Sequence, residues 1–168
     1  VDLNASVTVR KTDENGKNVK GAEFSIFDEE GNTVYRFTTS DESVDLSSQL
    51  KGGHIYTLHE ENAPFGYESM EDMQFEVTGT KEKPQLILAR DERKTYEVKL
   101  HKVSDDGKSL AGAEFQIEDE EGNTVSDIYG NPCTGTTDET GSLKWEIFYE
   151  PDEQYYVHET KAPSGYST

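Results

Sequence analysis

Apolar and polar residues alternate along most of this 168-residue chain. Val7, Val9 and Lys11 share one phase, Phe24 and Ile26 a second, and Tyr56, Leu58 and Glu60 a third. Alternation of period two predicts half-buried strands, because successive side chains on a strand point to opposite faces. Turn signals separate the runs: Glu14-Asn15-Gly16, Glu30-Gly31-Asn32 and Lys51-Gly52-Gly53. Short alternating strands with turns between them predict an all-β chain of the β-sandwich class. No segment shows a convincing helical period, and Ser40 to Leu50 is expected to hold at most one short turn.

The pattern occurs twice. Gly21-Ala22-Glu23-Phe24 returns as Gly112-Ala113-Glu114-Phe115, and the stretch from Asp28 to Val34 returns from Asp119 to Val125 at the same offset. Ala63-Pro64-Phe65-Gly66-Tyr67 returns as Ala162-Pro163-Ser164-Gly165-Tyr166 at a larger offset. The second copy therefore carries an insert, placed around Ile128 to Gly135. Two long copies do not make a solenoid, so each is read as a domain: residues 1–91 and residues 92–168. The short charged joint Asp91-Glu92-Arg93-Lys94-Thr95 leads from the last strand of one into the first strand of the next, a semi-rigid connection that suits a stalk.

The phase puts charges where a core belongs. Lys11 continues the inward set of Val7 and Val9, and Lys102 that of Val98 and Leu100. Glu60 follows Tyr56 and Leu58, and Glu159 follows Tyr155 and Val157. Either these groups sit at strand ends and reach water, or each domain buries one Lys and one Glu. Burial is costly unless the charges are paired or neutralised. The in-phase recurrence of the same pair favours burial.

Composition adds exclusions. Leu, Ile, Val and Phe make up about a fifth of the chain, and the net charge is -19, on the border of disorder. The 9 Tyr, 7 Phe and single Trp restore enough apolar area for a core. The acidic field repels phosphates and anionic lipid, which argues against nucleic-acid or membrane partners. Apolar runs such as Leu86-Ile87-Leu88-Ala89 are too short to span a bilayer. No signal peptide or sorting tail is visible, so the chain is expected to be an excised or processed fragment. With Cys133 as the single cysteine, no disulfide can staple either domain. Some other stabiliser is needed.

Several motifs together resemble one family. Val7-Thr8-Val9-Arg10-Lys11-Thr12-Asp13 and Val98-Lys99-Leu100-His101-Lys102 look like its opening strand. Gly21-Ala22-Glu23-Phe24 looks like its second strand, and Thr137-Asp138-Glu139-Thr140-Gly141 like its mid-domain turn. The stretches Tyr56 to Tyr67 and Tyr155 to Tyr166 look like its glutamate box. Across nearly its whole length the chain resembles the Cna B-type repeat domains of Gram-positive surface adhesins and pilins. The resemblance implies tandem prealbumin-like, immunoglobulin-like β-sandwiches on an extracellular, cell-wall-anchored protein. It also implies a self-made isopeptide bond, in which a first-strand Lys attacks a last-strand Asn or Asp with help from a buried Glu. Desolvation favours the neutral amine and the neutral carboxylic acid, the states that this chemistry uses. No cofactor or metal is implied.

In the first domain the resemblance assigns Lys11 and Glu60, and Asp91 is the candidate acceptor. Asp91 shares the phase of Ile87 and Ala89. Leu86 and Leu88 are the more apolar set, and if they face the core Asp91 turns outward. In the second domain Lys102 and Glu159 are assigned, but only Ser167 and Thr168 follow Tyr166. That domain is expected to lack its final strand and its acceptor, and to expose an unpaired edge beside Leu100, Phe115 and Val157.

The remaining features take plain readings. His59 and His158 are expected to face outward; a weak metal site from His101 and His158 is the alternative. Asp13-Glu14-Asn15-Gly16 and Ser104-Asp105-Asp106-Gly107 lack the full calcium-loop spacing and read as tight turns. Asn131-Pro132-Cys133-Thr134-Gly135 only superficially resembles a sorting signal and reads as a surface loop, with Cys133 in it. No pilin-type Lys motif is visible, which argues against a shaft subunit. The leading function is a stalk or spacer of an adhesin or minor pilin, with neighbouring domains of the same protein as partners. The alternatives are a module that binds host matrix protein or glycan through the insert with Tyr129 and Cys133, or a carbohydrate-binding module built on Trp145, Phe148 and Tyr149. A hydrolase is disfavoured, because no carboxylates are paired in a defined site.

Overall fold

The computed structural model describes residues 4–150 and 153–168. Each alternating segment named above forms a strand, and among the described residues there is no helix. The chain divides into two units, Val1–Arg93 and Lys94–Thr168.

Unit 1 contains β1 (Val7–Thr12), β2 (Glu23–Phe27), β3 (Thr33–Thr38), β4 (Val44–Asp45), β5 (Ile55–Asn62), β6 (Tyr67–Glu68), β7 (Met73–Glu76), β8 (Gln85–Arg90) and β9 (Glu92–Arg93). One sheet has the order β4-β1-β8, the other β3-β2-β5-β7. β1 and β8 run parallel, from Val7↔Gln85 to Thr12↔Arg90. The inward residues Val7, Val9, Phe24, Ile26, Leu58 and Ala89 are buried between the two sheets. β6 and β9 form a separate two-residue ladder. The stretch from Ser40 to Leu50 holds β4 and one turn, closed by the amides of Gln49 and Leu50 on the Leu46 carbonyl.

Unit 2 contains β10 (Thr95–His101), β11 (Glu114–Glu118), β12 (Thr134–Thr136), β13 (Ser142–Phe148) and β14 (Tyr156–Lys161). β10 pairs with β13, and β11 lies between β12 and β14. By sequence and pairing these strands correspond to β1 to β5. Among the described residues unit 2 has no counterpart of β7 or β8.

A recurrent turn joins many of these strands. In the first instance Asp28 Oδ1 accepts the amides of Glu30 and Asn32 at 3.0 and 2.9 Å, while Gly31 takes φ 84°. That left-handed conformation suits a residue without Cβ. The same Asp-x-x-Gly arrangement closes at Asp13, Asp119, Asp127 and Asp138. At Asp13 the carboxylate is thus spent on its own turn.

One expectation and one alternative meet the structure differently from the sequence reading. Cys133 is not a surface residue. It is fully buried with Ile117, Trp145 and Ile147. The insert folds back along β11: Cys133 accepts the Ile117 amide at 3.0 Å and donates to Val125 at 2.8 Å. This backbone pairing turns the thiol into the core. Trp145 is not an exposed platform either. It points inward beside Ile147, and its Nε1 donates to the Thr134 carbonyl at 3.3 Å.

Candidate functional site

Three alternating strands deliver three ionisable groups to one point in unit 1. Lys11 ends the inward row of β1, Glu60 continues the row of Tyr56 and Leu58 on β5, and Asp91 lies just beyond Ile87 and Ala89 on β8. All three are buried, at 3%, 5% and 1% exposure. Lys11 Nζ donates to Glu60 Oε2 at 2.7 Å and also to Asp91 Oδ1. It lies 5.2 Å from the centroid of the Phe24 ring, a favourable seat for a cation. Ala89 is the register partner of Lys11 on β8. Its small side chain leaves the Lys11 stem room to reach Asp91.

The parallel register decides the question left open at Asp91. Residues directly paired in a ladder point to the same face, so Val9↔Ile87 and Lys11↔Ala89 carry Ile87, Ala89 and then Asp91 inward. Leu86 and Leu88 face out, at 51% and 56% exposure.

One ammonium between two buried carboxylates leaves an excess negative charge, which a dry site does not tolerate. A retained proton relieves it. Burial pushes Glu60 up to about 7; the hydrogen bond from Lys11 opposes this shift and that with Asp91 adds to it. Glu60 Oε1 and Asp91 Oδ2 are buried without a hydrogen-bond partner, which also favours a neutral acid over two bare carboxylates. The site therefore gathers one amine and two carboxyl groups within hydrogen-bonding distance in a buried pocket, with Glu60 the more readily protonated acid.

Unit 2 repeats the pair but not its surroundings. Lys102 Nζ donates to Glu159 Oε2 at 2.9 Å, and the side chains are 25% and 13% exposed. Glu159 Oε1 has no partner. Among the described residues the structure brings no third carboxyl to this pair. His59 leans on Asp72 at 2.6 Å, which raises its pKa. His158 bonds Glu118 and His101 bonds Ser109, so the two histidines of unit 2 serve different neighbours. Missing from the expected site were Phe24, which reads as plain core, and a half-buried pair, Glu14 and Arg93, with Arg93 two residues beyond Asp91.

The family model described as the SpaA prealbumin-like fold domain matches residues 5–91 and again 96–168. The chain belongs to this family. Its two units are tandem prealbumin-like β-sandwiches, the second without its final strands among the described residues. The Bacillus anthracis TIE protein is similar over 98% of this chain, with 30% identity and a TM-score of 0.75. The chain spans 29% of that protein's solved chain. A C-terminal fragment of the pilus adhesin SpaC from Lactobacillus rhamnosus GG is similar in fold, with 16% identity, a TM-score of 0.51, and coverage of 99% of this chain and 78% of that one. No curated protein matches the chain.

Proposed function

We propose that this chain is a tension-bearing spacer of a Gram-positive surface adhesin or minor pilin, and that its first unit locks itself with an isopeptide bond between Lys11 and Asp91. The observation that carries this reading is the contact of Lys11 Nζ with both Asp91 and Glu60 in a site without water access. Family membership and the likeness to the TIE protein support a surface setting.

The chemistry follows from the three groups. Lys11 first passes one ammonium proton to the Asp91 carboxylate; the amine so freed attacks Asp91 Cγ, and the carbonyl electron pair moves onto oxygen. Glu60, protonated, donates to that oxygen and stabilises the developing charge. As the tetrahedral centre collapses, the C–O bond breaks and the departing hydroxyl takes a proton through Glu60. The acid is restored by the proton lost from nitrogen. In sum, an ammonium and a carboxylate become an amide and one water. The reaction runs once per molecule, so it is maturation and not turnover.

Its consequence is mechanical. Lys11 stands near the end of the first strand of the unit and Asp91 near the exit of the last. Tension along the chain then passes from β1 across the new amide to Asp91, and the residues between them bear none of it. Closing so long a loop removes unfolded-state entropy of about 4.5 kcal/mol, by analogy with a disulfide. An amide also resists the reductants that open disulfides. Intact mass tests the proposal. The chain should weigh one water less than its sequence, with Lys11 and Asp91 recovered in one branched tryptic peptide. An unshifted mass, with the two residues in separate peptides, overturns it.

A further inference from the structure

Asp91 lies where the chain leaves one ladder for another. Upstream, β8 follows β1 as far as Thr12↔Arg90, and the Asp91 amide donates to the Thr12 carbonyl at 2.9 Å. Downstream, β9 pairs with β6 through Glu68↔Glu92 and Tyr67↔Arg93. At such a changeover the direction of the side chain depends on the backbone to both sides. β1 itself holds the upstream side. The downstream side is held by the short β6 ladder and by Glu14, on the turn that follows β1. Glu14 Oε2 accepts the backbone amide of Arg93 at 3.1 Å, and Oε1 accepts Nε of the same residue at 2.6 Å. The two side chains are 18% and 17% exposed. One carboxylate thus grips both the main chain and the side chain of Arg93, a more directed contact than an exposed ion pair makes.

The location gives the grip a role. Glu14 is three residues beyond Lys11, and Arg93 is two residues beyond Asp91. The contact ties together the ends of the two segments that carry the reacting groups. We infer that Glu14, acting through Arg93, is a positioning residue for the Lys11–Asp91 bond: it fixes the backbone that aims the Asp91 carboxyl at the Lys11 amine. The inference rests on the cross-linking reaction proposed above. Reactions between held groups are sensitive to such placement, and a displacement of about 1 Å costs on the order of a hundredfold in rate.

The test follows bond formation in the full chain made by cell-free synthesis, quenched in denaturant at intervals and weighed intact. Glu14→Ala should slow the loss of water by about tenfold or more. Arg93→Ala keeps the backbone amide that Glu14 holds and should slow it less. Gln85→Ala is the control for general loosening, because Gln85 ties the opposite end of β8 to the amides of Thr78 and Gly79. It should leave the rate within about twofold, as ordinary surface changes do. If Glu14→Ala does not fold, Glu14→Gln, which keeps the shape and loses one acceptor, decides in its place. Linking at the wild-type rate without the Glu14 carboxylate overturns the inference, as does equal slowing in Gln85→Ala. A wild type that never loses water is a different failure. It removes the cross-link itself, whereas a linked wild type with an indifferent Glu14 removes only the positioning role.

Discussion

The two units place the same Lys and Glu in the same strand phase, and the structure treats them differently. In unit 1 β8 extends the sheet beside β1 and β7 the sheet beside β5, and the buried Lys11 and Glu60 meet a third group, Asp91. In unit 2 the pair Lys102 and Glu159 has no such cover among the described residues. Val157 shows what the cover does. Its counterpart Leu58 is fully buried beside Met73 of β7, whereas Val157 is 47% exposed. On the cross-link proposed above, a charge pair serves the reaction only when the sandwich closes over it. Closure removes water, lifts Glu60 to about 7 and brings the acceptor.

Removing each lysine in turn should separate the two units most strongly. Lys11→Ala should abolish the loss of one water and leave two buried carboxyls without a cation. The lost cross-link accounts for about 4.5 kcal/mol, and the orphaned carboxyls add to it until they take up protons. Chemical denaturation with intact mass on the same sample measures both. A Lys11→Ala chain as stable as the wild type would mean that no cross-link closes unit 1.

Acidity sharpens the same contrast. Before the bond forms, Glu60 keeps its proton to about pH 7 in the fold, against an ordinary value of 4.5. The folded state binds this proton more tightly than the unfolded chain. The stability it contributes is therefore complete below about pH 4.5 and is lost as pH rises through about 7. The relay also needs that proton. Bond formation in newly made chain should slow as pH is raised above about 7, with Glu60→Gln removing this dependence together with most of the rate. A rate that keeps climbing from pH 7 to 9 would assign the proton transfer to another group.

Cys133 is the smaller contrast, since unit 1 has no counterpart of the insert that carries it. Burial raises its thiol pKa, so it should resist thiol reagents until unit 2 opens. Cys133→Ser places a hydroxyl among Ile117, Trp145 and Ile147 and should cost about 1–3 kcal/mol. Hydrogen exchange of unit 2 peptides reports the loss. Rapid labelling of the native thiol would show that the insert opens on its own.

The alternation of Val7-Val9-Lys11 and Tyr56-Leu58-Glu60 was enough to place those residues inward, because a strand with one apolar face has only one register that buries it. Asp91 was harder. β8 is apolar on both faces, and only its parallel pairing with β1 decides which set is buried. Cys133 was misread for a related reason. A Pro- and Gly-flanked stretch looks like a surface loop until the backbone bonds of Ile117 and Val125 bring it under the sheet. The contact of Glu14 with Arg93 joins residues 79 apart in sequence. Glu14 reads as part of a turn and Arg93 as part of a charged joint, and nothing in either segment names the other.

The smallest expected effect is at Lys102, and it completes the comparison. If position in the strand were what mattered, Lys102→Ala should wound unit 2 as Lys11→Ala wounds unit 1. The structure gives a different answer. Lys102 is 25% exposed and Glu159 13%, so water reaches the ammonium and screens the pair. Partly exposed pairs of this kind contribute roughly 1 kcal/mol or less. Glu159, left alone, can take up a proton or turn its carboxyl toward solvent. Lys102→Ala should therefore change the stability of unit 2 by about 1 kcal/mol or less, with no change in intact mass beyond the substitution. Hydrogen exchange of peptides from β10 and β14, compared with those from β1 and β5, provides the measurement. A loss of several kcal/mol confined to unit 2 would mean that its pair is as dry as that of unit 1, and that phase within the strand, not cover by β7 and β8, makes the site.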